Sequence, residues 1–251
     1  MNAAPVLSVR GLCKNFGALI VAQSIDVDLM AGARVGLIGP NGAGKTTFVN
    51  LLTGFLHPDA GTIMLDGVAI ETMVAEKRVH HGLARTHQIN TLLVEMNVRD
   101  NVAIAISERD KLAWRTIRYK PQWRACLEEA QSRLEQIGIG SIGDRIVREL
   151  PYGQQRLLEI AIALALKPRV LLLDEPAAGV PAAETHHIHD VLSKLPKDIA
   201  ILIIEHDMDV IFRFAQEIIV LVQGRVLRRG VPAAIAADPE VRAVYLGRTV
   251  V

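Results

Sequence analysis

The sequence predicts an α/β fold. It has a parallel sheet alternating with helices, an antiparallel β subdomain ahead of it and an inserted helical subdomain. Three observations carry this reading. A glycine-rich loop, Gly39-Pro40-Asn41-Gly42-Ala43-Gly44-Lys45-Thr46, lies between a short apolar strand (34–38) and the opening of a helix (47–52). Continuous apolar runs at 170–173, 200–204 and 218–222 have the character of parallel strands, which are covered on both faces. Helical patterns separate these runs, as in an α/β core.

The elements follow in order. Within residues 6–38, Ser24-Ile25-Asp26-Val27-Asp28-Leu29 alternates polar and apolar, which predicts half-exposed antiparallel strands leading into the loop. Residues 61–67 read as a further strand ending in a turn, and 83–85 as a short strand. From about 89 to 165 strand signals disappear. Asn97 is placed to cap a helix through Ile106, 124–137 carries a helical apolar rhythm, and Gly138, Gly140 and Gly143 mark a loop. The predicted organisation is a core with its antiparallel subdomain over 1–88, a helical subdomain over 89–165, and the rest of the core with a C-terminal extension over 166–251.

At 251 residues the chain is long enough to bury a substantial core. Its 28 basic and 27 acidic residues lack the basic excess of a general nucleic-acid binder. Half of the residues are hydrophobic, yet no apolar run approaches the ~20 residues that span a bilayer. Met1-Asn2-Ala3-Ala4-Pro5 has neither the charged nor the apolar region of a secretory signal. Cys13 and Cys126 have no paired spacing and read as reduced structural cysteines of a cytoplasmic protein.

The glycine-rich loop is a phosphate-gripping element. Its glycines let backbone N–H groups turn inward at a helix N-terminus, where an anion is favoured. Lys45 would reach the β- and γ-phosphates of a nucleotide, and the Thr46 hydroxyl would ligate Mg²⁺. Val170-Leu171-Leu172-Leu173-Asp174-Glu175 ends an apolar strand in two carboxylates, at the strand end where parallel sheets bind ligands. Asp174 would hold Mg²⁺ through water, and Glu175 would polarise the attacking water. His206, after the next apolar run, would donate to the γ-phosphate; Gln88 would sense metal and water. Taken alone, an acidic strand end, a histidine or a glutamine is ordinary. Their order along the chain gives them weight.

With Leu150-Pro151-Tyr152-Gly153-Gln154-Gln155-Arg156 added to that order, the chain resembles the ATP-binding cassette (ABC) family of ATPases over essentially its whole length. The resemblance implies a P-loop NTPase (RecA-like) core that uses ATP and Mg²⁺. It implies that Tyr152, Gly153 and Gln154 of the signature stretch contact ATP held by the opposite subunit of a head-to-tail dimer. Phe16 is similar to the family's adenine-stacking aromatic, and Thr47 joins the nucleotide contacts. Gly82-Leu83-Ala84-Arg85-Thr86-His87-Gln88, Tyr152-Gly153-Gln154-Gln155-Arg156 and Asp174-Glu175-Pro176-Ala177-Ala178-Gly179 resemble the branched-chain amino acid importer subgroup. So do Glu205-His206-Asp207-Met208 and the ending Asp238-Pro239-Glu240-Val241…Tyr245-Leu246-Gly247. That subgroup also includes relatives for urea, amides or aromatic acids.

The resemblance thus implies a cytoplasmic ATPase, peripheral at the inner face of the membrane, that powers an importer. Separate permeases, a second ABC ATPase subunit and an extracytoplasmic solute-binding protein are its implied partners. A heterodimer is favoured and a homodimer stays open. Three positions depart from the family pattern. Pro151 replaces the signature serine, Pro181 replaces an acidic or amide residue after Asp174-Glu175, and Ile162 stands where arginine is common. Two alternatives remain at this point, a non-hydrolysing gating subunit and a soluble cassette ATPase. His186 and His189 lack a third ligand and read as exposed helix residues. The basic segment 109–124, with Trp114, Tyr119 and Trp123, reads as a solvated surface or a contact with the membrane partner.

Overall fold

The computed structural model describes residues 4–86, 92–112 and 120–245. Alternation shapes the first elements. Strands β1 (Leu7–Phe16) and β2 (Leu19–Leu29) pair antiparallel, with Leu7, Val9, Ile25, Val27 and Leu29 turned inward. Next come β3 (Arg34–Ile38) and helix α1 (Lys45–Thr53), the strand and helix that flank the phosphate loop. Strands β4 (Ala60–Leu65) and β5 (Val68–Ala69) complete a four-stranded antiparallel sheet in the order β2-β1-β4-β5. Helix α2 (Ala75–His80) and strand β6 (Leu83–Arg85) follow.

Among the described residues the α-helices α3 (Val98–Arg109), α4 (Lys120–Gln136) and α5 (Tyr152–Ala165) come next. The core resumes with β7 (Val170–Asp174), α6 (Ala182–Ser193), β8 (Ala200–Ile204), α7 (Met208–Phe214) and β9 (Glu217–Val222). It closes with β10 (Arg225–Gly230), α8 (Pro232–Ala237) and α9 (Pro239–Tyr245). The second sheet runs β10-β9-β3-β8-β7-β6. Strand β3 is parallel to β8 and β9, β7 is parallel to β8, and β10 adds an antiparallel edge. The parallel core, antiparallel subdomain and inserted helices are those the sequence predicts.

Packing divides the chain into two units. One comprises residues 1–83, 169–175 and 196–251; the other comprises 84–168 and 176–195. In the first, both sheets enclose one core containing Leu7, Leu29, Leu37, Phe48, Leu172 and Leu202. Full burial of each such side chain is worth about 1.5–3 kcal/mol relative to exposure. That core is what holds β3, α1 and β7 in fixed relation.

In the second unit, α3 packs on α4 and α5, and α5 packs on α6. Val98, Val102 and Ile106 recur at helical spacing on the buried face of α3. Asn97 caps this helix as predicted, its side-chain oxygen accepting the Asp100 N–H at 2.7 Å. Helix α3 runs on beyond Ile106 to Arg109, whose guanidinium clasps Glu129 of α4 at 2.8 Å and holds that carboxyl down at about 2. Within the basic segment, Trp114 and Tyr119 lie outside the described residues, while Trp123 sits half-buried on α4.

Candidate active site

Backbone packing, more than side chains, sets the phosphate loop. Strand β3 delivers the chain to Gly39, where a Cβ would stand 2.2 Å from the Leu221 carbonyl oxygen of β9. Gly44 opens α1 in the left-handed region at φ 101°, and a Cβ there would stand 2.5 Å from the Val21 carbonyl oxygen. No other residue fits either position without displacement. The Ala43 N–H donates to the Pro40 carbonyl at 3.1 Å, and the Ala43 carbonyl accepts the Gly224 N–H at 2.9 Å. Gln223 and Gly224, both at positive φ, turn the β9–β10 hairpin, so its tip braces the loop. Gly44 brings no capping side chain, which leaves the first N–H groups of α1 open to an anion.

Lys45 is half-buried, with Nζ donating to the Gly39 carbonyl at 2.6 Å and the Pro40 carbonyl at 3.1 Å. Burial pushes its ammonium down, and the charges of Glu175 and Asp174 act in the opposite sense. A cation deprived of hydration in this way gains strongly from a multiply charged anion. Thr46 is exposed and Thr47 half-buried in the first turn of α1; Asn41 and Gly42 are exposed beside them.

Asp174 ends β7 with 3% exposure. Glu175 follows at φ 48°, and its N–H donates to the Ile204 carbonyl at 2.9 Å. A non-glycine residue held there costs of order 1–3 kcal/mol, stored beside the proposed chemistry. His206 is 72% exposed, with Nδ1 3.9 Å from Glu175 Oε1 and 3.8 Å from Glu205 Oε2. Lys45, Asp174, Glu175 and His206 therefore gather within one unit. Gln88 lies outside the described residues. Phe16, at the end of β1, is 49% exposed, with the Lys14 ammonium 5.7 Å from its ring centroid. An aromatic face left open at the β1–β2 tip is free to stack.

The signature stretch belongs to the other unit. Pro151 is the N-cap of α5 and supplies neither a capping side chain nor an N–H. The Tyr152 hydroxyl accepts a hydrogen bond from Arg156, whose guanidinium lies 4.8 Å from the Tyr152 ring centroid. Arg156 also pairs with buried Glu159 at 2.7 Å. Burial pushes the Glu159 carboxyl up and Arg156 opposes it. Gly153 is buried and Gln154 half-buried in the same turn. Pro181 is likewise the N-cap of α6, without a capping side chain.

Two residues to which the sequence reading assigned no role support the loop. Arg78 is fully buried and donates to the carbonyls of Leu51 (2.6 Å), Leu52 (2.8 Å), Met73 (2.9 Å) and Glu71 (2.8 Å). It places a cation on the C-terminal carbonyls of α1, which has no basic residue in its own last turn. Tyr245, at the end of α9, is hydrogen-bonded to the Gly39 backbone, and burial pushes its phenol up to about 12. Neither residue carries a local pattern that announces the contact.

A phosphate loop, a strand ending in two carboxylates and a following histidine on this fold define a nucleotide-hydrolysing cassette. The ABC transporter family model matches residues 22–178, and the chain belongs to that family, as an ATPase that energises membrane transport. It is 37% identical to the high-affinity branched-chain amino acid transport ATP-binding protein BraF of Pseudomonas aeruginosa, covering 97% of this chain and 98% of BraF. It is 38% identical to LivG of Escherichia coli, a protein of the same description, over the same shares. Among solved structures, the cassette MJ1267 in its ADP conformation superposes with a TM-score of 0.84. The identity is 30%, over 98% of this chain and all of that one.

Proposed function

We propose that this chain hydrolyses ATP with Mg²⁺ to drive an importer of branched-chain amino acids or related small solutes. The observation that carries the reading is the gathering of Lys45, Asp174, Glu175 and His206 around a glycine-built loop. Near full-length similarity to BraF and LivG supports the solute class. Lys45 and the loop amides would hold the β- and γ-phosphates, and Phe16 would stack on adenine. Glu175 would take the proton of water as its oxygen bonds to the γ-phosphorus and the bond to the β–γ bridging oxygen breaks, releasing ADP and phosphate. His206 would donate to the γ-phosphate, with Gln88 beside metal and water.

Thr46 and Asp174 offer the hard oxygen donors that suit Mg²⁺. Among the described residues no cluster of three metal-capable side chains exists. A metal held by few protein ligands together with substrate phosphates is the usual arrangement for Mg²⁺. Mg²⁺ held by these residues would supply charge neutralisation to the phosphates.

No helix among the described residues is long and apolar enough to cross a membrane. Similarity to the ATP-binding subunits BraF and LivG supports a peripheral setting, at the inner face of the membrane beneath separate permeases, with an extracytoplasmic solute-binding protein completing the system. Pro151 and Pro181 depart from the family pattern where contacts to a second ATPase are made. They favour an asymmetric heterodimer in which a related chain supplies a better signature stretch to the Lys45–Glu175 site. The test of the nucleotide site is Lys45→Ala. It removes a charge-assisted hydrogen bond worth about 1.5–3 kcal/mol. Titration with a fluorescent ATP analogue should show binding weakened about ten- to a hundredfold. An unchanged dissociation constant would show that the nucleotide sits elsewhere.

A further inference from the structure

Helix α1 carries Lys45, Thr46 and Thr47 in its first turn, so the placement of these side chains follows the placement of the helix. Its far end is held from outside. The Asn50 carbonyl accepts the Leu56 N–H at 3.0 Å. The next two carbonyls, of Leu51 and Leu52, both accept from Nη1 of Arg78, at 2.6 and 2.8 Å. Successive carbonyls of a helix are turned by about 100° and stepped by about 1.5 Å. One nitrogen shared between two of them therefore fixes rotation and axial position together. The other edge of the guanidinium is placed as firmly, with Nε donating to the Met73 carbonyl at 2.9 Å and Nη2 to the Glu71 carbonyl at 2.8 Å. This segment is tied in turn to the antiparallel sheet. The Met73 N–H donates to the Ile70 carbonyl at 2.9 Å, and the Ile70 N–H to the Ile63 carbonyl of β4 at 2.8 Å. The arrangement leaves no slack: Arg78 is fully buried, and a Cβ on Gly54 would stand 2.8 Å from its Nε.

We propose that Arg78 is a positioning residue for nucleotide binding, acting through α1 on the grip that Lys45 and the loop amides take on the β- and γ-phosphates. Arginine suits this task because its planar fork aims several donors in fixed directions, which a lysine ammonium cannot do. The pull of a multiply charged phosphate on the first turn of α1 is then resisted at the last turn, and the helix does not slide. Adenine, by contrast, would be met by Phe16 at the end of β1, outside α1. The effect of Arg78 therefore falls on the phosphates beyond the first and leaves the base contact untouched. The inference rests on the proposed function, since it takes the phosphate loop to be where ATP binds.

The test compares Arg78→Met and Arg78→Lys. The full chain is titrated with trinitrophenyl-labelled ATP, ADP and AMP, and ATP turnover is followed in the assembled transporter. Loss of one charge-assisted contact to phosphate corresponds to roughly tenfold weaker binding of ATP and ADP in Arg78→Met. AMP, which has no β-phosphate, should bind as it does to wild type. KM should rise in proportion while kcat holds, the mark of an interaction made equally in the ground and transition states. Arg78→Lys keeps a cation on the Leu51 and Leu52 carbonyls but gives up the fork to Met73 and Glu71. Its loss should be smaller and again confined to ATP and ADP. A purely structural role would instead lower the unfolding temperature and weaken all three nucleotides together. That pattern in either variant, a fall in kcat at unchanged KM, or wild-type ATP affinity in Arg78→Met would overturn the proposal. Should Arg78→Met fail to fold, Arg78→Lys decides, and wild-type ATP affinity there would equally overturn it. If the unaltered chain binds none of the three nucleotides, the proposed function falls, and this inference with it.

Discussion

The start of α1 and the start of α5 solve one problem in opposite ways. Neither has a side-chain cap, so both leave N–H groups open. At α1 the geometry comes from glycines wedged against the backbone of β2 and β9, where Gly44 and Gly39 have no room for a Cβ. At α5 it comes from side chains, a proline at the cap and a tyrosine held by a buried arginine. Backbone packing tolerates no substitution. Side-chain packing can be retuned one residue at a time. All three departures from the family pattern, Pro151, Ile162 and Pro181, fall in or beside the side-chain-built region, and none falls in the phosphate loop.

The largest expected effect tests how far α5 depends on its side chains. Arg156→Ala would leave Glu159 buried without its cation, which typically costs about 3–5 kcal/mol. Chemical unfolding should show this loss, and the deficit should narrow as pH falls, because a protonated Glu159 no longer requires a cation. A variant as stable as wild type would show that α5 is held by its apolar face alone.

Next in size, Glu175→Gln should leave stability and ATP affinity intact while turnover falls about 10²–10³-fold. Size-exclusion chromatography with ATP should then show a dimer accumulating. Turnover within twofold of wild type would remove Glu175 from its role and leave the first unit with a binding site only.

Pro151→Ser is a smaller change and sharpens the contrast directly. Restoring a hydroxyl and an N–H adds hydrogen bonds worth about 0.5–1.5 kcal/mol each. Hydrolysis should improve chiefly at the partner's site, and correspondingly Glu175→Gln should impair transport more than the matching change in the partner. Equal losses from the two glutamate changes would rule out asymmetry.

The smallest effect concerns the loop's own support. The folded state holds the Tyr245 proton more tightly than the unfolded chain, whose phenol has the ordinary value of 10.0. Its contribution is therefore complete below about pH 10 and is lost as pH rises towards about 12. Urea unfolding across that interval should fall less steeply for Tyr245→Phe, and parallel curves would exclude the phenol from the linkage.

Much of this was legible in the sequence because it is local. The phosphate loop is written in eight consecutive residues, the parallel strands in unbroken apolar runs, and the Asn97 cap in a polar residue just ahead of a helical rhythm. What escaped reading depends on distant partners. Nothing near Arg78 says that its guanidinium will be buried on the end of another helix. Nothing near Tyr245 points to Gly39. The departures at Pro151 and Pro181 were visible at once, while their shared position as helix N-caps was not.

Arg78 also carries a consequence for the order in which the molecule is made. Helix α1 has nine residues, fewer than the ~12–15 at which an isolated helix becomes marginal in water. Its last turn is closed by a guanidinium that lies 27 residues beyond Leu51. A nascent chain ending at Thr53 already contains every residue of the phosphate loop, yet lacks the group that finishes the helix behind it. The phosphate loop is thus synthesised before the group that finishes the helix behind it, which arrives only with residues 71–78. The order of synthesis and the order of assembly differ at the phosphate loop.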